Sequence, residues 1–267
     1  MSIITLQTDF GVQDEFVGVM KGVILSIHPS VTVVDITHSI DPQDLVQGAY
    51  LIASAYPYFP KETIHVVVVD PGVGSERKII ALKKNGHIFL APDNGILTLL
   101  VEDGNVEAVV QVDNPDYFLH PISHTFHGRD IFAPVSAHLS KGVGLSCIGR
   151  SVDVASLCLL PISKPYVSEA GDLVGQVVHV DRFGNIMTNL RKHHLDELKP
   201  DKCAGGIRIG HIPINTISDT YNSVLPGELI AVFGSRGFLE VAVNCGNASK
   251  RLKVGKGEEV RISNCEG

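Results

Sequence analysis

The apolar positions fall into short runs separated by segments of helical period. Ile3–Gln7 reads as a short apolar strand and Thr32–Ile36 as a β-branched one. Ile64–Val69 is a β-branched run ending at Asp70, the mark of a strand buried on both faces. Between the first two strands, Asp14–His28 has helical period, with Phe16, Val19, Val23, Ile24 and Ile27 on one face. Asp41 is expected to cap a second helix, with Pro42 at its first position and Asp44 in its first turn, running to about Tyr56. Ile79–Lys83 and His87–Ala91 form two further strands, joined by an Asn85-Gly86 hairpin turn. A helix over Asn94–Glu102, a strand over Val106–Val112 and a helix over Arg129–Ser140 complete the first half.

This alternation predicts an α/β N-terminal domain, residues 1–162, with a mostly parallel sheet flanked by helices. The pattern changes near Pro161–Pro165, so a linker is expected at about 163–170. Beyond Gly171 the apolar runs shorten and turns crowd together. Val174–Val180, Gly206–Ile212, Glu228–Phe233, Leu239–Val243 and Glu259–Ile262 read as strands, with one short helix near His194–Leu198. Residues 171–267 are therefore expected to form a smaller all-β, barrel-like C-terminal domain.

Charge and composition narrow the function classes. Among 267 residues, 22 Lys and Arg stand against 29 Asp and Glu, a net charge of −7. An acidic chain without a Lys/Arg stripe is not expected to bind nucleic acid or a membrane surface. No run reaches the roughly 18 apolar residues of a membrane span, and MSIITLQTDF lacks the basic start of a signal peptide. The five cysteines, Cys147, Cys158, Cys203, Cys245 and Cys265, have no CxxC spacing. Neither a zinc knuckle nor a disulfide framework is expected, and five unpaired thiols fit a cytoplasmic location.

Ligands of α/β sheets bind beyond the carboxyl ends of the strands, and three acids are expected there: Asp9, Asp35 and Asp70. Asp9 can accept both hydroxyls of a ribose, or simply form a turn. Asp70 opens Asp70-Pro71-Gly72-Val73-Gly74-Ser75-Glu76-Arg77, a loop with an acid and an arginine at its two ends that can pair. It is neither a dinucleotide fingerprint nor a P-loop. The densest polar cluster is His124-Thr125-Phe126-His127-Gly128-Arg129-Asp130. Three readings stand open for it: a metal site of His124, His127 and Asp130, a loop leading into a helix, or a catalytic His127 beside a glycine that clears space for a small reactant. Asp181-Arg182-Phe183-Gly184-Asn185 and Ser235-Arg236-Gly237 are each plausible turns. Together they offer a carboxylate for an ammonium, a guanidinium for a carboxylate, and an aromatic ring and an amide for adenine.

TDFG at Thr8–Gly11, VVDI at Val33–Ile36, DPGVGSER at Asp70–Arg77, APDNG at Ala91–Gly95, TFHGRD at Thr125–Asp130, DRFGN at Asp181–Asn185 and SRG at Ser235–Gly237 occur in this order. In these segments, along nearly the whole chain, the sequence resembles the S-adenosylmethionine (SAM) hydroxide adenosyltransferases, relatives of enzymes that attack SAM with fluoride or chloride. The resemblance implies hydrolysis of SAM to adenosine and methionine, without a cofactor or metal. It also implies a homotrimer, with SAM between the N-domain of one subunit and the C-domain of its neighbour. It assigns Asp70, Arg77 and His127 to water activation. The chemistry of the three groups suggests a division of roles: Arg77 stabilises the developing hydroxide, His127 takes the proton or orients the water, and Asp70 holds Arg77 and biases the His127 tautomer. Asp9 would hold the ribose hydroxyls, Asp181, Ser235 and Arg236 the methionine end, and Phe183 and Asn185 the adenine, with Asp14 near the methionine part. The halogenating relatives carry Tyr in place of Asp70, and the fluorinating ones Ser in place of Gly128. A fixed carboxylate repels halide, so Asp70 implies water as nucleophile. The rival readings are a SAM- or adenosine-binding sensor with little turnover, a metal-dependent hydrolase, and a methyltransferase, which the lack of a glycine-rich first loop disfavours.

Overall fold

The computed structural model describes residues 2–195, 204–214 and 217–264. The chain divides into two compact units, Met1–Pro161 and Ile162–Gly267.

In the first unit, β1 (Ile3–Thr8), β2 (Thr32–Thr37), β3 (Ile64–Val68), β4 (Ile79–Lys84), β5 (His87–Pro92), β6 (Val106–Val112) and β7 (Gly149–Ser151) form one sheet in the order β2-β1-β3-β5-β4-β6-β7. β1 pairs in parallel with β2 and β3, and β3 with β5. The remaining pairs, β4 with β5, β4 with β6 and β6 with β7, are antiparallel. The sheet is thus mixed, not mostly parallel. The Asn85-Gly86 turn, both residues at positive φ (52° and 78°), folds β4 directly back on β5. That hairpin reverses direction without a crossover helix, and β6 and β7 add to its outer strand.

Successive side chains of the central strands serve opposite faces. Val66 and Val68 join a core with Met20, Ile24, Phe132 and Val135. Val67 and Val69 join another with Ile52, Ile96 and Leu100. Helices α1 (Phe16–Ile27) and α4 (Ala133–Ser140) cover the first face; α2 (Leu45–Ala55) and α3 (Thr98–Glu102) cover the second. On α1 the fully packed positions are Val17, Met20 and Ile24, while Phe16 stays 39% exposed. The cap of α2 is Asp44, not Asp41: its side chain accepts from Gln47 N at 2.8 Å. Gln43, at φ 65°, turns the chain into the helix, so Asp41 and Pro42 remain outside it. The helix expected over Arg129–Ser140 begins as a π-helical turn, Gly128–Phe132, that passes into α4.

In the second unit, β8 (Tyr166–Val167), β9 (Leu173–Val180), β10 (Ile186–Arg191), β11 (Ala204–Ile209), β12 (Ile212–Ile214), β13 (Ile217–Ser218), β14 (Leu229–Phe233), β15 (Phe238–Val243) and β16 (Glu259–Asn264) build one sheet. Its order is β12-β11-β16-β9-β10-β15-β14-β13, with β8 on β9. The sheet curls as a half-barrel around one apolar core that holds Leu173, Ile186, Ile207, Leu239, Val241 and Ile262. Short helices α5 (Lys192–Leu195) and α6 (Ala248–Leu252) complete it. Tyr166–Val167, inside the segment expected as a linker, pairs with β9. The helix expected to reach Leu198 is seen to Leu195; its remainder, with Cys203 and Cys265, lies outside the described residues. Cys147, Cys158 and Cys245 are free and exposed. Among the described residues, no helix is long and apolar enough to cross a membrane.

Candidate active site

Asp70 follows β3, and Arg77 stands two residues before β4. The loop between them folds the acid and the guanidinium onto each other. Arg77 Nε donates to both carboxylate oxygens of Asp70, at 2.8 and 2.9 Å, and Nη2 donates to Oδ2. Both side chains are nearly buried, 5% and 9% exposed, so solvent screens this pair little. Gly74 makes the loop's approach to its neighbour feasible. It sits at φ 78°, and a Cβ there would overlap the His124 carbonyl oxygen. The loop therefore packs directly on the segment that carries His127.

His127 enters from the turn that begins the π-helical segment. Arg77 Nη2 donates to its Nδ1 at 2.8 Å. A guanidinium has no acceptor, so Nδ1 carries the lone pair and Nε2 the hydrogen. Burial, and next the Arg77 charge, hold the His127 imidazole below the usual histidine range; Asp70, Asp130 and the Ser123 backbone oppose them. Arg77, rather than Asp70, sets the tautomer. Asp130 is fully buried and accepts from Ser123 N (2.8 Å), Ser123 Oγ (2.7 Å) and its neighbour Arg129 (2.6 Å). With Asp130 and His127 Nδ1 thus engaged, His124, His127 and Asp130 do not converge as metal ligands. Among the described residues no cluster of three or more His, Cys, Asp or Glu side chains could hold a metal.

Asp70, His127 and Gly128 line a cavity of about 130 Å³ together with the rings of Phe10, Phe16 and Phe126. The three rings pack edge-on or tilted, with centroids 5.0–5.9 Å apart. Polar groups on one side and aromatic rings on the other make a small cavity with one polar wall. Gly128 does not simply leave free space: a Cβ there would press on the Phe126 ring and the Met20 sulfur.

Asp9, beside Phe10, accepts from Gln43 N at 2.9 Å through Oδ2. Asp14 is exposed ahead of α1 and lines neither this cavity nor the larger one described below. Asp35 lies within β2, not beyond its end, and pairs with Lys21 (2.6 Å) and His38 (3.0 Å). The turn at Asp93-Asn94 is held by two hydrogen bonds: Asp93 accepts from Cys158 N and Asn94 donates to Val69 O.

The second unit has its own larger cavity, about 730 Å³. Asp181, Phe183, Asn185, Ser235 and Arg236 all line it. The Asp181–Asn185 turn is held by Asp181 itself, whose Oδ1 accepts from Phe183 N and Asn185 N, both at 2.9 Å. Its Oδ2 accepts from Asn185 Nδ2 at 3.1 Å. Phe183 stands 74% exposed at the rim. Two lining residues escape sequence reasoning, Tyr221 and Glu240. The signal for Glu240 is in β15: Leu239, Val241 and Val243 face the core, so Glu240 between them must face away from it. Tyr221 sits in an irregular turn and carries no such signal.

The family model for the SAM hydroxide adenosyltransferase N-terminal domain matches residues 4–149, and that for the C-terminal domain residues 175–261. A protein of Salinispora arenicola named (R)-S-adenosyl-L-methionine hydrolase is 37% identical, over 97% of each chain. A fluorinase of Nocardia brasiliensis is 28% identical, again over 97% of each. The crystal structure of an uncharacterized conserved protein from Thermotoga maritima superposes with a TM-score of 0.90 at 40% identity, covering 97% of this chain and 99% of that one. With both halves of the chain matched, the protein belongs to the SAM hydroxide adenosyltransferase family.

Proposed function

We propose that this protein hydrolyses SAM by attack of water on C5′, giving adenosine and methionine. The observation that carries the reading is the Asp70–Arg77–His127 chain at the wall of a phenylalanine-lined cavity. The hydrolase names of full-length relatives at 34–38% identity support it.

The substrate is a sulfonium, and its leaving group is a neutral thioether that needs no acid. Water must be aligned and relieved of a proton. The water oxygen forms a bond to C5′ as the C5′–S bond breaks, and that electron pair leaves on the sulfur of methionine. The new oxonium is strongly acidic, so a carboxylate suffices as proton acceptor. Asp70 lines the cavity and takes that role; the proton then passes to solvent. His127 offers its Nε2 hydrogen to the water rather than a lone pair, because Arg77 occupies Nδ1. Its part is orientation, and proton removal falls to Asp70. Arg77 fixes both partners in place, through Nε and Nη2 on Asp70 and Nη2 on His127. Alignment alone is worth up to about 7–11 kcal/mol for an ideal pair.

In the same reading Asp9 holds the ribose, and the cavity of the second unit holds the rest of SAM through Phe183, Asn185, Ser235 and Arg236. A homotrimer with sites at subunit interfaces and a cytoplasmic location belong to it as well.

The test is to incubate the protein with SAM, with and without EDTA, and to separate the products by chromatography. Adenosine and methionine in equal amounts, unaffected by EDTA, are expected. Binding without products would indicate a sensor, loss with EDTA a metalloenzyme, and S-adenosylhomocysteine a methyltransferase.

A further inference from the structure

His38, a buried residue just after β2, ties down the segment that carries Asp9 and Phe10. β1 and β2 run in step from Ile3–Thr32 to Leu6–Asp35, and then the register slips, so that Gln7 pairs with Thr37. β2 therefore carries one extra residue, Ile36, a bulge next to the Asp9 turn. In a regular strand, residues three apart face opposite sides. The bulge puts Asp35 and His38 on one side, the α1 side that Leu6 shares. There Lys21 of α1 lies 2.6 Å from Asp35 Oδ2, His38 Nε2 lies 3.0 Å from Asp35 Oδ1, and Thr8 Oγ1 meets His38 Nδ1 at 2.8 Å. Threonine, histidine and aspartate stand here in the order of a nucleophile triad. Thr8 is fully buried, however, and its oxygen already meets Phe10 N at 3.2 Å, so no substrate reaches it.

The protons give the network a direction. Burial opposes the Asp35 charge, but Lys21 and His38 outweigh it and hold the carboxyl below its usual range. A carboxylate only accepts, so in the neutral ring His38 Nε2 carries the hydrogen and Nδ1 the lone pair. Thr8 then donates to Nδ1 and is left to accept from Phe10 N. His38 O accepts from Gly11 N at 2.8 Å. One residue thus holds the two peptide N–H groups that follow Asp9. Asp9 itself accepts from Gln43 N through Oδ2, and its Oδ1 has no partner among the described residues. A carboxylate with one oxygen anchored and one open is aimed by the backbone beneath it. We propose that His38 is a positioning residue: through Thr8 and its own carbonyl it sets the Asp9–Gly11 backbone so that Asp9 meets the ribose hydroxyls. The Asp35–Lys21 pair holds the ring in turn. This rests on the reading of Asp9 as the ribose contact.

The experiment is titration calorimetry on the full chain with adenosine and with 2′,3′-dideoxyadenosine, which lacks both ribose hydroxyls. The wild type should prefer adenosine at least about tenfold, the scale of a hydrogen bond to a charged group, and Asp9→Ala should remove most of that preference. Thr8→Val keeps the shape and loses the hydroxyl, and His38→Ala loses the ring. Each should lower the preference at least about threefold, while Thr8→Ser, which keeps the hydroxyl, should retain it. Should His38→Ala fail to fold, Thr8→Val against Thr8→Ser decides. A role in stability alone would weaken both nucleosides in proportion. An unchanged preference in Thr8→Val, or the same loss in Thr8→Ser, therefore overturns the proposal while Asp9 keeps its role. If the wild type shows no preference, or Asp9→Ala retains it, the ribose reading fails and the proposal with it.

Discussion

Arg77 bridges Asp70 and His127 with one nitrogen: Nη2 donates to Asp70 Oδ2 and to His127 Nδ1. A planar fork of fixed donors can do this, and a lysine ammonium cannot also supply the Nε contacts to both carboxylate oxygens. Arg77→Lys should therefore lower the rate of adenosine release about 10²-fold, the scale on which small misplacement of groups at a reacting centre costs rate, because both Asp70 and His127 lose the donor that holds them. The KM for SAM should change little. Steady-state kinetics by product chromatography checks this, and a KM effect with kcat intact would assign Arg77 to binding.

The neutral form of His127 is the one this geometry uses. Its pKa is lowered from 6.5, by burial first and the Arg77 charge second. The active, deprotonated state therefore persists as pH falls through 6.5, and activity drops only at a lower value. A plot of kcat/KM against pH should show its acid limb below 6.5. An acid limb centred at or above 6.5 would mean that His127 is not held as described.

Gly74→Ala probes the contact between the two loops. Its φ of 78° and the overlap of any Cβ with the His124 carbonyl oxygen both oppose a side chain. The variant should lose about 1–3 kcal/mol of stability, measured by denaturant unfolding. Turnover should fall as well, because Asp70 and Arg77 belong to the loop that must shift.

A buried histidine away from the site should contribute to the loss of stability in acid. His65 Nδ1 meets Thr5 Oγ1 at 2.8 Å, and the ring stacks on Phe89 at 4.9 Å. Burial, with the His87 charge second, lowers its pKa from 6.5 to about 3. Between these values the unfolded chain binds a proton that the native protein refuses. The stabilising effect is fully present above pH 6.5 and is lost as pH falls toward 3, with a slope approaching 1.4 kcal/mol per unit for one proton, to order of magnitude. Urea unfolding across pH 4–7 should show this slope, and His65→Gln should reduce it. Equal slopes in both proteins would contradict the assignment.

The sequence makes legible what local chemistry decides. Ile64–Val69 reads as a doubly buried strand because helices cover both faces of the sheet at that strand. Asn85-Gly86 reads as a hairpin because both positions need positive φ. The Asp70–Arg77 pair follows from two opposite charges at the ends of one short loop. Strand order is not local, so the antiparallel half of the first sheet was invisible in an alternation of strands and helices. The α2 cap falls three residues beyond Asp41, at Asp44, because Gln43 takes a left-handed conformation that few non-glycine residues adopt. β7, at three residues, is too short for any period. The His127 tautomer depends on which nitrogen Arg77 reaches across 50 positions of sequence, which only the fold determines.

The central claim is that water, aligned by His127 and deprotonated by Asp70, attacks C5′. It is tested most directly by letting the protein act on SAM in water enriched with heavy oxygen and weighing both products. Heavy oxygen should appear in adenosine, at its 5′ position, and not in methionine, and Asp70→Asn should slow its incorporation at least about tenfold. Unlabelled adenosine, label in methionine, or incorporation at an unchanged rate in Asp70→Asn would contradict the account.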